Sequence, residues 1–130
     1  MDETIRERIE WLRETLAPVE HEEIEETVTT LIEVFGRAYA IDVLRTFALS
    51  NEPWRFSDLE AELDAPPSTL SARLAEFEAA GLIDRHAYGE MPPRVEYEPT
   101  EKVRELFPAV GYLHWWASRH DLDTSDGRKA

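Results

Sequence analysis

The chain has 130 residues, 42% of them hydrophobic, with 28 acids against 14 lysines and arginines and a net charge of −14. That size supports one domain, or one domain with extra helices, around an ordinary core. It contains no cysteine, which excludes disulfides, thiolate metal sites and thiol-based sensing. No stretch approaches the roughly 20 apolar residues that cross a bilayer, and no apolar h-region follows the N-terminus, so the expected location is the cytoplasm.

Residues 3 to 16 carry Ile5, Ile9, Leu12 and Leu16 at helical spacing, with Trp11 widening the stripe and Pro18 ending it. Such a helix either packs on its own core or serves as a dimerisation arm, and the pattern does not choose between them. His21 to Phe35 is a second amphipathic helix, with Ile24, Val28, Leu31 and Phe35 on one face. Its acids favour the helix N-terminus. His21 beside Glu22 and Glu25 is a poor match to metal-ligand spacing, so no metal site is expected. Residues 1 to 35 hold eleven acids against three arginines. After Gly36, the run Arg37 to Leu49 is apolar nearly all round and predicts the central core helix.

Trp54-Arg55-Phe56 reads as short and extended. Ser57, with Glu60 three residues on, predicts a capping box and a helix to about Leu63. Ala65-Pro66 is the turn, Pro67 suits a first helical position, and the next helix buries Leu70, Leu74 and Phe77 before Gly81 supplies its left-handed end. Its opposite face carries Thr69, Ala72 and Glu76, with Ser68 and Arg73 at the edges. Leu82 to His86 and Arg94 to Glu98 are strands around a loop at Gly89 to Pro93. Thr100 caps a last helix, in which Val103, Leu106, Val110, Leu113 and Ala117 form a short heptad seam and Pro108 implies a kink or break. A polar segment, 119–130, follows and is expected to be disordered.

Helix, turn, helix and hairpin in that order are the layout of a winged helix. The predicted fold is mainly α with a small antiparallel β-hairpin, a winged helix-turn-helix with extra N- and C-terminal helices. Residues 1–18 form the arm and 19–118 the winged domain with its dimerisation helix. The layout points to double-stranded DNA, with residues 67–80 in the major groove and the wing, 87–94, on the minor groove or backbone. Small polar Ser68 and Thr69, with small Ala72, suit groove entry. Arg94 stands at the base of the wing, where it can reach a minor groove or a phosphate; Arg85 can do the same or pair with a neighbouring acid, and the pairing is the favoured expectation. Catalysis has no candidate: the four histidines are scattered and no phosphate loop or activated nucleophile is present, so neither enzyme activity nor a cofactor is expected.

The acidity opposes a polyanionic partner. Lysine is nearly absent, however, with only Lys102 and Lys129. Acidic, lysine-poor surfaces suit a salt-loaded cytoplasm, where a Debye length of ~3 Å at molar salt screens distant acids.

Several stretches in order carry a family likeness: R-F-S-D-L at 55–59, L-S-A-R-L at 70–74, G-L-I-D-R at 81–85 and P-P-R-V-E-Y at 92–97, with Thr100, Leu106, Pro108 and Trp116 at matching spacing. From about Phe35 to Trp116 the chain resembles the HxlR-type winged helix-turn-helix transcriptional regulators, relatives of the MarR-like group. The resemblance implies a homodimer built from N- and C-terminal helices, with two recognition helices in successive major grooves. It points to Ser71, Arg73 and Arg94 as DNA-facing. The dimer residues expected on this basis and from the apolar stripes are Ile5, Ile9, Leu12, Leu16, Leu106, Val110, Leu113 and Trp116.

The family's frequent N-terminal cysteine is missing. The usual G-K-W appears as Gly36-Arg37-Ala38-Tyr39, the usual Leu-Thr as Pro99-Thr100, and the usual Gly as Val103. The extra first helix and the acidity would fit a haloarchaeal member. Tyr39, Tyr112, Trp115 and Trp116 are candidates for an effector pocket at a dimer interface, although aromatics at helical spacing are more often plain core. The rival reading is a winged helix that has lost DNA binding and serves protein interaction. Its support is the acidic surface, with Glu76 in the middle of the expected reading face.

Overall fold

Two helices built on the first two apolar stripes make up one unit of the structure, and all remaining elements the other. The computed structural model describes residues 3–16 and 21–123, and the chain divides into residues 1–35 and 36–130. The sequence reading put that division after residue 18 instead. In the first unit, α1 (Glu3–Leu16) and α2 (His21–Phe35) match the predicted helices. Ile5, Ile9, Leu12, Val28 and Ile32 are all exposed. Pro18 and the side chains of Leu16 and His21 lie outside the described residues, as do residues 124–130 of the polar tail.

The second unit runs α3 (Ala40–Ala48), β1 (Trp54–Arg55), α4 (Phe56–Leu63), α5 (Pro67–Ala79), β2 (Ile83–Tyr88), β3 (Arg94–Pro99), α6 (Glu101–Arg104) and α7 (Phe107–Arg119). The strands form one antiparallel sheet in the order β1-β3-β2. Side chains from every helix of the unit meet in one core: Val43, Leu44 and Phe47 of α3, Leu59 of α4, Leu70, Leu74 and Phe77 of α5, Ile83 of β2, Val103 of α6 and Val110 of α7. Helix α7 packs on α3, and α5 packs against β2.

Two expectations change, and the break that Pro108 implied is located. Helix α3 begins at Ala40 rather than Arg37, because Tyr39 is left-handed (φ 66°) and cannot continue a right-handed helix. Ser57 is not an N-cap. The N-cap is Arg55, with no side-chain capping bond, because pairing of Trp54 with Tyr97 and of Arg55 with Glu96 holds the chain extended up to that residue. The C-terminal helix is two helices. Its break falls at Glu105–Leu106, which lets Pro108 sit in the first turn of α7, where a missing N–H costs little.

Gly81 ends α5 as expected (φ 74°). The Leu82 N–H donates to the Phe77 carbonyl at 2.8 Å and the Gly81 N–H to Glu78 at 3.0 Å, the double bond pattern of a Schellman cap. Thr100 then ties this end to α6: its hydroxyl donates to the Gly81 carbonyl (2.8 Å) and accepts from the Val103 N–H (3.4 Å). Lys102 donates to the Ala80 carbonyl at 3.1 Å, placing a cation at the negative end of α5. The helix that follows the turn is therefore fixed in rotation by its core residues and in position by both ends.

Candidate nucleic-acid interface

Burial of Leu70, Leu74 and Phe77 sets which side of α5 looks outward. At 100° per residue the opposite side is centred on Ser68, Ala72 and Ala79, with Ala75 and Glu76 at its edges and Ser71 further round toward the N-terminal flank. Ser68, Ser71, Ala75 and Ala79 are exposed; Ala72 is half-buried. Apart from Glu76 at its edge this face holds only small, uncharged side chains, so a helix about 20 Å long can approach a groove closely. Ala75 and Ala79, absent from the sequence-derived set, continue the stripe of Ser71 and Ala72 by one and two turns.

Thr69, Arg73 and Glu76 lie along one flank instead. The Glu76 carboxylate is shared between two guanidinium groups: Arg73 Nε approaches it at 2.9 Å and Arg37 Nη1 at 3.1 Å. Arg73 also donates to the Ala38 carbonyl at 3.3 Å. Burial opposes ionisation of Glu76 most strongly, but the hydrogen bonds and charges of Arg37 and Arg73 together outweigh it and hold the carboxyl below its ordinary value. A left-handed Tyr39 persists where its surroundings over-determine it, and the bond to Ala38 clamps the adjoining peptide. Sequence reasoning missed Arg37 and Ala38 because they stand far from α5 in the chain.

Two residues expected on or beside the reading face are thus paired with each other. The Glu76 carboxylate is drawn toward two cations along the flank. Arg73 is engaged within its own chain, with its side chain only 15% exposed.

On the hairpin, Arg94 lies directly opposite Tyr88, its guanidinium 4.1 Å from the ring centroid and 3.1 Å from the Glu90 carboxylate. A hydrogen bond to Glu96 keeps the Tyr88 phenol protonated above its ordinary value. Stacking fixes the arginine at the wing base, while the exposed Glu90 partner contributes little in water. Arg85 is exposed and forms no ion pair among the described residues, contrary to the expectation of an acidic partner.

On α7, Leu113, Trp116, Tyr112 and Trp115 are exposed and Leu106 is half-buried. The aromatics are thus not plain core. Val110, by contrast, is 4% exposed and belongs to the chain's own core, so it has no surface to offer a partner. Among the described residues there is no His/Asp/Glu group able to hold a metal ion, and no helix is long and apolar enough to cross a membrane.

Comparison with known proteins places this geometry. The model of the HxlR-like helix-turn-helix family matches residues 36–124. An HTH-type transcriptional regulator of Bacillus subtilis, YvaP, is 37% identical over 87 residues, covering 61% of this chain and 81% of YvaP. An HTH-type transcriptional regulator of Mycobacterium bovis, Mb3122, is 35% identical over 95 residues; the match spans 73% of this chain but 59% of the relative. Among solved structures, an HTH-type transcriptional regulator, ytcD, superposes with a TM-score of 0.66 at 31% identity over 72% of this chain and 94% of its own. A MarR-family regulator from Enterococcus faecalis superposes at 0.64 with 25% identity, covering 73% and 86%. The chain belongs to the HxlR-like helix-turn-helix family, and it is a DNA-binding transcriptional regulator of winged-helix, MarR-like architecture rather than an enzyme.

Proposed function

We propose that the chain acts as a homodimer in the cytoplasm, setting α5 into the major groove of double-stranded DNA and the wing, 87–94, against the minor groove or backbone. Ser68, Thr69, Ser71 and Ala72 face the bases and nearby phosphates, and Arg94 supplies the wing contact. The observation that supports this reading is the small-residue outward face of α5, whose one acid, Glu76, is paired with Arg37 and Arg73. That pairing weakens one argument for the rival reading as an interaction module; the acidic composition remains its support.

Exposed Ile5, Ile9 and Leu12 on α1 and Leu113 and Trp116 on α7 form the subunit contact. Large apolar surfaces of this kind mark association sites. The acidic, lysine-poor composition suits operation at high salt, where phosphate attraction weakens and base or shape readout must supply affinity.

Fluorescence anisotropy with duplexes from around the gene's own promoter tests the DNA reading. Wild type binds in a sequence-dependent way, and Arg94→Ala lowers the slope of log K against log salt by about 0.9, the effect of one phosphate contact. A folded wild type that binds none of these duplexes at any salt concentration overturns it. For the dimer, light scattering at micromolar concentration in roughly molar potassium chloride gives twice the chain mass, and a mass of one chain refutes the pairing.

A further inference from the structure

Helix α5 contains a single cation, Arg73, and the turn beside it contains one more, Arg37. Both are bound by one carboxylate, at 2.9 and 3.1 Å, and Arg73 is further tied to the Ala38 carbonyl. Both guanidinium groups on this flank are therefore already engaged by an internal carboxylate before DNA arrives. We propose that Glu76 is a specificity-determining residue that withholds Arg37 and Arg73 from the phosphate backbone.

The proposal rests on α5 being the DNA-facing helix. Phosphate contacts add affinity without sequence information, whereas base-edge contacts discriminate. Two guanidinium groups on the flank of a groove-inserted helix stand where the backbone rises on either side. Free, they would grip any duplex. Held by Glu76, they leave the uncharged face of Ser68, Ser71 and Ala72 to decide affinity. Arg37, with its side chain 44% exposed, is the more accessible of the two, while Arg73 is largely covered. Glu76 thus differs from an ordinary surface acid, whose removal changes only the distant field.

The test measures binding of a duplex without operator sequence against potassium chloride concentration. Glu76→Gln binds it more tightly than wild type, and the slope of log K against log salt steepens by about 1 to 2, roughly 0.9 for each arginine that gains a phosphate. Glu78→Gln makes the same change in net charge on an exposed residue of the same helix that forms no described ion pair, and its slope stays at the wild-type value. Adding Arg73→Ala to Glu76→Gln removes about 0.9 of the gain. Should Glu76→Gln fail to fold, Glu76→Asp takes its place: the shorter carboxylate holds one guanidinium, and the slope steepens by about 1.

A folded Glu76 variant whose affinity and slope match those of Glu78→Gln overturns the proposal. Failure of the underlying DNA reading is recognised separately, because Ser71→Glu would then bind the operator duplex as wild type does.

Discussion

Ser71→Glu is expected to abolish operator binding while leaving the fold intact. Ser71 sits beside the outward face of α5 in its first half, is exposed, and forms no described side-chain hydrogen bond. Replacing it puts a carboxylate and one further methylene where the groove would lie. Like charges forced together at an interface cost several kcal/mol, so the expected loss is on the order of 3 kcal/mol, or about a hundredfold in Kd. Salt does not rescue it, because the steric part is unscreened and the carboxylate lies closer to phosphates and base edges than the ~3 Å Debye length reaches at 1 M. The melting temperature stays within a few degrees of wild type, since the residue packs against nothing. Anisotropy on an operator duplex, with a thermal melt by circular dichroism beside it, checks both halves. Undiminished binding would show that another surface meets the DNA.

The largest effect on stability falls at Phe77. Its ring is fully buried, and its carbonyl accepts the Leu82 N–H that closes α5. Phe77→Ala keeps the backbone bond but empties the space between α5 and the sheet. Buried Phe-to-Ala changes cost about 3–5 kcal/mol, a large share of the 5–15 kcal/mol that holds such a domain. At roughly 4–8 °C per kcal/mol for a domain of this size, the melting transition drops by about 12 to 40 °C. Leu49→Ala is the control: Leu49 is 81% exposed, and its removal costs no more than ~0.5 kcal/mol. Equal losses for the two would mean that the core is not where the structure puts it.

The Glu76 cluster and the Phe77 core act on different aspects of the same helix. Phe77, with Leu70 and Leu74, sets the rotation of α5 and so decides which residues can enter a groove. Glu76 sets the charge along its flank. A chain of net charge −14 can then present a locally compensated flank, because charges beyond a Debye length matter little at high salt.

Much of this was legible in the sequence, and the legible part is local. Pro67 at the start of α5, Gly81 at its end, Thr100 before α6 and the alternation around the loop at 89–93 each act over a few residues, so a pattern of that length reveals them. The apolar spacing of Leu70, Leu74 and Phe77 even gives the buried side of α5. The proposed DNA-facing residues Ser68, Ser71 and Ala72 follow from that spacing and from the family likeness together. What the sequence alone could not yield depends on contacts between distant segments. Ser57 looked like a helix cap, but β1 pairs with β3 and keeps the chain extended to Arg55. Val110 looked like part of an outward seam, but α7 lies on α3 and buries it. Glu76 and Arg73 looked like members of the reading face. Only the tertiary structure brings the turn at Arg37–Tyr39 alongside α5, and a charged side chain goes where its desolvation is best compensated, here toward Arg37 and the Ala38 carbonyl rather than into solvent.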